Sequence, residues 1–261
     1  AVIGLVIGHY GQSAFVEWGW RIPFLASAVL ILFGFWVRRR VEESPAFVEL
    51  KEHRQEVAHA PLREALSTHS ASMLRVFLVK AGESALFYLF STFFIVLATV
   101  YLKAPRGAAL DALFWGSLVE VAVILLAGAA ADRIGRRPVT LLGLVGGVAA
   151  GFYLFTLGEG ASAAQLKTAT LLTLTFHGII VGGMSAFFTE LFPARVRYTA
   201  MSTAYSVAAV LGGALAPIIG TWLLDAFHAP LAVGVYATLM VLPAVWAMLS
   251  ARETRGADLL K

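Results

Sequence analysis

Read for runs without charge, the chain resolves into long apolar windows separated by short polar breaks. Six windows hold no Asp, Glu, Lys or Arg: Ile22 to Val37, Ser84 to Leu102, Pro138 to Gly158, Thr168 to Thr189, Tyr198 to Leu224 and Ala229 to Ala251. A seventh, Ala112 to Ala131, is interrupted only by Glu120. A helix rising 1.5 Å per residue needs ~20 apolar residues to cross the hydrocarbon layer of a bilayer. The first window reaches that length only with its flanks; the others reach it alone. The pattern therefore predicts seven spanning helices in an all-α, polytopic membrane bundle. Ala1 to Gly8 is also apolar but too short to span, and it lacks an initiator Met and a basic start. It reads as the tail of a truncated helix rather than a signal peptide.

Composition supports lipid as the solvent. Hydrophobic residues make up 59% of the 261 and charged residues 14%, with a mean hydropathy of +0.80, whereas soluble domains are about a quarter charged. The absence of cysteine excludes a disulfide scaffold, thiolate metal sites and a cysteine nucleophile. A net charge of +4 raises the possibility of a nucleic-acid partner, but the distribution of the charges answers it. With seven spans the connections alternate sides, and all of the 20 Lys and Arg except Arg21, Lys103, Arg106 and Lys167 fall on one side. The excess of basic residues in the loops of one face orients the bundle and makes that face cytoplasmic, so no nucleic-acid partner is expected.

The one long polar stretch, Arg38 to Arg75, mixes basic and acidic residues in nearly equal number and reads as a solvated linker. Within it Ser44 and Pro45 have the form of an N-cap followed by proline at the first helical position, and Pro61 opens a second short helix ending near Ser67. His53, His59 and His69 are not spaced to share a helical face as metal ligands, so no metal or cofactor is expected.

The most specific motif follows the third window: Gly128, three residues, then Asp132, Arg133, Ile134, Gly135, Arg136, Arg137 and Pro138. Two helices must reverse direction here. Gly135 permits the positive φ of a tight turn, Pro138 suits the first turn of the next helix, and the arginines hold the turn in water. Asp132 sits at a helix C-terminus, where the macrodipole disfavours an acid, so a partner is expected for it. The candidate is the start of the sixth window near Thr199, where free N–H groups and partial positive charge would receive a carboxylate. Arg136 or Arg137 could pair with Glu190 at the end of the fifth window. Together these groups would form a latch between helix ends, a bistable element at the cytoplasmic face.

This G-x-x-x-D-R-x-G-R-R run resembles the signature loop of the major facilitator superfamily between its helices eight and nine. Glu17 to Phe24 (EWGWRIPF), Arg38 to Phe47 (RRRVEESPAF) and Glu190 to Thr199 (ELFPARVRYT) resemble the metabolite:proton symporter family within it. The resemblance implies that residues 1–37 hold the end of helix five and helix six of an N-terminal bundle, and that 38–75 is the cytoplasmic linker. It makes 76–251 a C-terminal six-helix bundle and 252–261 a cytoplasmic tail. It further implies a secondary active transporter in the inner membrane of a bacterial cell, carrying a small organic acid or betaine-like zwitterion with protons by alternating access. Its partners would be the small-molecule substrate, protons, lipid and the N-terminal half of the same transporter. The gate it implies comprises Gly128, Asp132, Arg133, Gly135, Arg136, Arg137, Glu190 and Arg197.

Ionisable residues inside a membrane are costly unless they face a cavity or a partner. Glu120 lies near the midplane of its span and is the first candidate to load and release a proton. Glu83, expected a turn and a half inside its helix, has Lys80 three residues earlier for an i, i+3 ion pair. His177 lies mid-span and is a candidate proton carrier or a bonded core imidazole. No Lys or Arg is expected near the membrane centre. Glycines 143, 147 and 151 set small residues at intervals of four for close helix contact, and Gly212, Gly213 and Pro217 predict an interrupted helix. A proton-independent facilitator or a proton-driven exporter would have the same architecture. An intramembrane serine hydrolase at Ser185 would lack a base on its own helical face, and no enzyme is expected.

Overall fold

The computed structural model describes residues 15–40 and 61–256. The expectations at Ala1 to Gly8, Ser44, Pro45, His53, His59 and the end of the tail lie outside these residues. Among the described residues all regular structure is helical. We number the helices α1 (Arg21–Arg40), α2 (Pro61–Thr68), α3 (Ser70–Tyr101), α4 (Arg106–Ile134), α5 (Arg136–Phe155), α6 (Ala163–Glu190), α7 (Ala194–Phe227) and α8 (Pro230–Ser250). All except α2 are long and apolar enough to cross a membrane.

The chain divides into two units, Ala1–His53 and Arg54–Lys261. In the first, α1 ends in three arginines, of which Arg39 and Arg40 fold back over the rings of Phe35 and Trp36 at 4.3 and 4.6 Å. The long stems of the arginines thus cover apolar surface while their charge stays at the helix end.

The second unit is a bundle of α3 to α8. Its boundaries follow local chemistry. Ser162 and Gln165 form a reciprocal capping box at the start of α6, satisfying two N–H groups that the first turn leaves free. Pro230 opens α8, where a missing N–H costs nothing. Gly135 takes φ 112° between α4 and α5, a backbone shape unfavourable for residues with a Cβ. The expected reversal at this glycine is therefore the observed one. In contrast, α3 begins at Ser70, well before its charge-free window. Lys80 and Glu83 had marked a border in the charge pattern, yet the helix runs through both, and the helical bundle starts before residue 76.

Helix α6 runs along both α4 and α5, while α3 packs against α7 and α8. Phe90, Phe93, Phe94, Phe155 and Phe187 are fully buried between them. Small residues set the spacing. A Cβ on Gly143 would meet the Ile180 backbone N at 2.6 Å, and one on Gly182 the Ile124 carbonyl at 2.7 Å. The closest approach to a neighbouring backbone is at Gly212, where a Cβ would lie 2.3 Å from the Ala81 carbonyl oxygen. Around it, Ala209–Ala214 form a π-turn inside α7. Rather than an interruption, glycine and the widened turn together let α7 press against α3. Two more π-turns, Leu89–Phe93 and Leu97–Tyr101, widen the second half of α3.

The outside of the bundle is as apolar as its inside. Leu125, Leu126, Trp222 and Trp246 are each at least 60% exposed, a surface that lipid tolerates and water does not.

Overpacking a close helix crossing typically costs about 1–3 kcal/mol. Gly212→Val is expected to lower the thermal midpoint of the detergent-solubilised protein by several degrees. Gly128→Ala, whose Cβ would meet its nearest neighbour at 3.9 Å, is expected to leave it nearly unchanged. Thermal unfolding followed by size-exclusion chromatography compares the two.

Candidate functional site

Three helices each contribute one ionisable group at mid-length. Glu83, Glu120 and His177 lie roughly 20 Å along the axis from the starts of α3, α4 and α6 at 1.5 Å per residue. Glu83 is thus much deeper than the charge pattern suggested. All three are buried, at 4, 8 and 3% exposure, and they touch. The imidazole of His177 stands between the carboxylates, with Nδ1 2.5 Å from Glu120 Oε1 and Nε2 3.1 Å from Glu83 Oε1. Phe87 packs on the ring at 5.0 Å between centroids.

Glu83 has a second set of partners through its other oxygen. Lys80 Nζ donates to Oε2 at 2.6 Å, and Ser84 Oγ donates to the same oxygen at 3.0 Å. Lys80 is itself buried, at 7% exposure, and its ammonium lies 4.3 Å from the centroid of the Tyr205 ring on α7. The i, i+3 pair is present, as the spacing allowed, but a buried cation inside a helix long and apolar enough to span was not expected. The correction has the same cause as the depth of Glu83: α3 begins earlier than the uncharged run.

Proton counting constrains this chain of groups. Each contact between a histidine nitrogen and a carboxylate oxygen needs one proton between the two atoms. A neutral imidazole supplies only one N–H. The arrangement therefore holds either an imidazolium between two carboxylates, or a neutral imidazole with one protonated carboxyl. The extra proton can shift between these forms without rearranging the helices. Losing it sets a nitrogen lone pair against a carboxylate oxygen, and one contact must open.

A second cluster joins the ends of α4, α5, α6 and α8. Arg136 donates through Nη2 to Glu190 Oε1 at 3.1 Å and through Nη1 to Asp132. Of the two arginines considered for Glu190, Arg136 is the one bonded to it, and Thr254 Oγ1 also donates to Glu190, at 2.6 Å. Arg137 reaches instead to the carbonyls of Met248 and Leu249 at 2.9 and 2.8 Å, closing the end of α8. Arg255 donates to the carbonyl of Arg133. Arg197 donates to the Phe192 carbonyl at 3.0 Å, and Gly128 faces Gly182 of α6.

The expected docking of Asp132 at the start of α7 is not what forms. Its carboxylate bonds to Arg136 one turn away, which offsets the unfavourable helix-end dipole locally. A carboxylate does dock on a helix start, but it is Glu253, from beyond α8, on the start of α5. It accepts the N–H groups of Arg136 and Arg137 at 2.9 and 3.1 Å, and those of Thr254 and Arg255 at 3.0 and 3.1 Å. Partial burial alone would raise the pKa of Glu253; these backbone donors outweigh it and hold the carboxyl below its ordinary value. No local pattern in the sequence announces this contact, since Glu253 and Arg136 lie far apart in the chain.

Ser185 donates to the Val181 carbonyl one turn back, and His177 is engaged at both nitrogens, so no nucleophile and base meet here. Among the described residues no cluster could hold a metal ion.

Comparison with known proteins gives a consistent answer. The family described as sugar (and other) transporter matches residues 66–261. The chain is 34% identical over 255 residues to the inner membrane metabolite transport protein YhjE of Escherichia coli (strain K12), covering 95% of this chain and 57% of that protein. It is 34% identical over 230 residues to the shikimate transporter of the same strain, covering 87% and 52%. It is 30% identical over 220 residues to the citrate-proton symporter of Klebsiella pneumoniae, covering 82% and 48%. The chain spans about half the length of the curated relatives it matches.

The depressed pKa of Glu253 fixes the sign of a pH effect. A carboxyl whose pKa falls on folding stabilises the fold above its unfolded value, and the contribution fades as pH drops through the folded value. Glu253→Gln is therefore expected to lower the thermal midpoint at neutral pH. The difference from the unaltered protein should shrink below the ordinary carboxylate pKa of 4.5, as read by thermal melts across an acid pH series.

Proposed function

The chain belongs to the sugar (and other) transporter family of the major facilitator superfamily, and from that premise we propose that it forms the C-terminal portion of a proton-coupled symporter. It is a multi-pass membrane transport protein, not an enzyme, and it acts on a small-molecule substrate. The finer reading concerns what drives the transport and what is carried. In this reading the Glu120–His177–Glu83 chain is the proton-loading site, and alternating access takes place between this bundle and an N-terminal half of the same transporter.

The observation that carries the reading is the imidazole held between two buried carboxylates contributed by three different helices. Proton occupancy there is tied to contact between the helices. With the extra proton present, α4, α6 and α3 are bonded through one ring. Without it, one of the two bonds opens, so loading biases the bundle toward a different arrangement. A coupling device needs this property: the ion must change which conformation is stable.

The cluster around Arg136 has a complementary role. Its bonds run among helices of one bundle, so it braces their ends and lets them move as a body, in place of a latch between α4 and α7. Asp132, Arg133, Gly135, Arg136, Arg137, Glu190 and Arg197 belong to this braced end, together with Glu253 and Thr254. The distribution of basic residues supports a cytoplasmic position for it, in the inner membrane of a bacterial cell. Relatives named for shikimate, citrate with protons, and proline or betaine support a small organic acid or a zwitterion as cargo.

The test is uptake into proteoliposomes containing the transporter of which this chain is part, using radiolabelled shikimate, citrate and glycine betaine. A one-unit pH gradient, acid outside, can drive about tenfold accumulation per proton. The unaltered protein is expected to concentrate its substrate under that gradient. Glu120→Gln and His177→Gln should each reduce accumulation to equilibration while leaving exchange measurable. Uptake indifferent to the gradient would favour the facilitator, and accumulation under the reversed gradient the exporter.

A further inference from the structure

The relay does not end at Glu83. Beyond it lies Lys80, a buried cation whose only carboxylate partner among the described residues is Glu83 Oε2, at 2.6 Å. We propose that Lys80 is the binding site for a carboxylate group of the substrate, and that it becomes available when Glu83 is protonated. The inference rests on the proton-loading reading above and names the group the cargo must present.

Charge must balance in a medium that tolerates little net charge. With the relay's extra proton in place, as imidazolium at His177, the four groups Lys80, Glu83, His177 and Glu120 sum to zero, so the proton that accompanies the cargo is a further one. A proton added to Glu83 at Oε2 forms an O–H bond where the ammonium had been bonded, and it leaves Lys80 a buried cation without an anion. A carboxylate arriving at Lys80 restores neutrality. One proton and one carboxylate thus enter together, and the site is neutral both empty and loaded. Loading either alone leaves an uncompensated buried charge, which makes the two events mutually dependent.

The surroundings leave Lys80 no substitute anion. Glu83 and Ser84 share its helix. The buried ionisable groups of α6 and α4 are His177 and Glu120, bonded to each other, with His177 also bonded to Glu83. Where α8 crosses α3 at Gly82 it presents Ala244, Met240 and Val241. From α7 comes Tyr205, whose ring lies over the ammonium and is itself 40% exposed. Lys80 is therefore one ring below the surface of the bundle, and a substrate displacing Tyr205 would reach it. Ser84, already bonded to Glu83 Oε2, can continue to hold the protonated carboxyl after Lys80 departs.

The experiment measures ligand-induced thermal shifts of the purified full-length transporter with a panel of carboxylates (acetate, benzoate, shikimate, succinate, citrate) and their matched amides. At least one carboxylate is expected to shift the unaltered protein, more strongly at acid pH, while its amide does not. Glu83→Gln, which mimics the protonated carboxyl, should bind that carboxylate with little dependence on pH. Lys80→Met should weaken binding at least about tenfold, the scale of one lost charge-assisted contact. Because Lys80→Met leaves the buried group with a net negative charge and can misfold, the charge-balanced double variant Lys80→Met/Glu83→Gln is tested beside it and should fold without binding. Amide binding equal to carboxylate binding, retention of binding in the double variant, or silence of the whole panel in both the unaltered protein and Glu83→Gln would overturn the proposal. Proton-driven uptake that survives loss of Lys80 would leave proton loading standing and remove only this site. Carboxylate binding that needs Lys80 without any response to a proton gradient would do the reverse.

Discussion

The structure depends on keeping four ionisable side chains inside an apolar bundle. Each would be costly there alone, and removing one partner of a buried pair commonly costs about 3–5 kcal/mol because the other remains charged. They are tolerable together because each sits on another's lone pair or proton: Lys80 on Glu83, Glu83 on His177, His177 on Glu120. The helices carrying them cannot be placed independently. The mid-points of α3, α4 and α6 must converge, and the glycines at 178 and 182 on α6 give the backbone of α4 room to approach. Function and packing therefore share one constraint, the neutrality of a small buried group of charges.

Much of this was legible in the sequence. Charge-free windows located the spanning helices, because hydrocarbon leaves a strong compositional imprint. Gly135 announced its turn because no other residue takes that backbone shape as easily. Glu120 and His177 stood out as ionisable groups inside apolar runs. What could not be read was who pairs with whom. Glu83 and His177 are on different helices, and a window-based reading treated Lys80 and Glu83 as the edge of a span when they lie in its interior. The signal was present in the apolar residues from Val76 to Val79, which precede Lys80 and extend the hydrophobic run behind it.

The braced end illustrates a different kind of limit. Electrostatics correctly required a carboxylate at a helix start and a partner for Asp132, but the two requirements were assigned to one residue. In the structure they are met separately, by Glu253 on α5 and by Arg136 beside Asp132. Dipole arguments state what kind of group belongs at a helix end. They do not say which distant part of the chain supplies it.

That supplier has a consequence for biosynthesis. The carboxylate capping α5 leaves the ribosome only after the whole of α8, and Thr254, which bonds Glu190, follows it at once. Until α8 has inserted, the first turn of α5 lacks its acceptor and Glu190 lacks one of its donors. The ring of helix ends can close only after α8 has been made, so the order of synthesis itself leaves the ends of α4, α5 and α6 unbraced until that helix is in the bilayer.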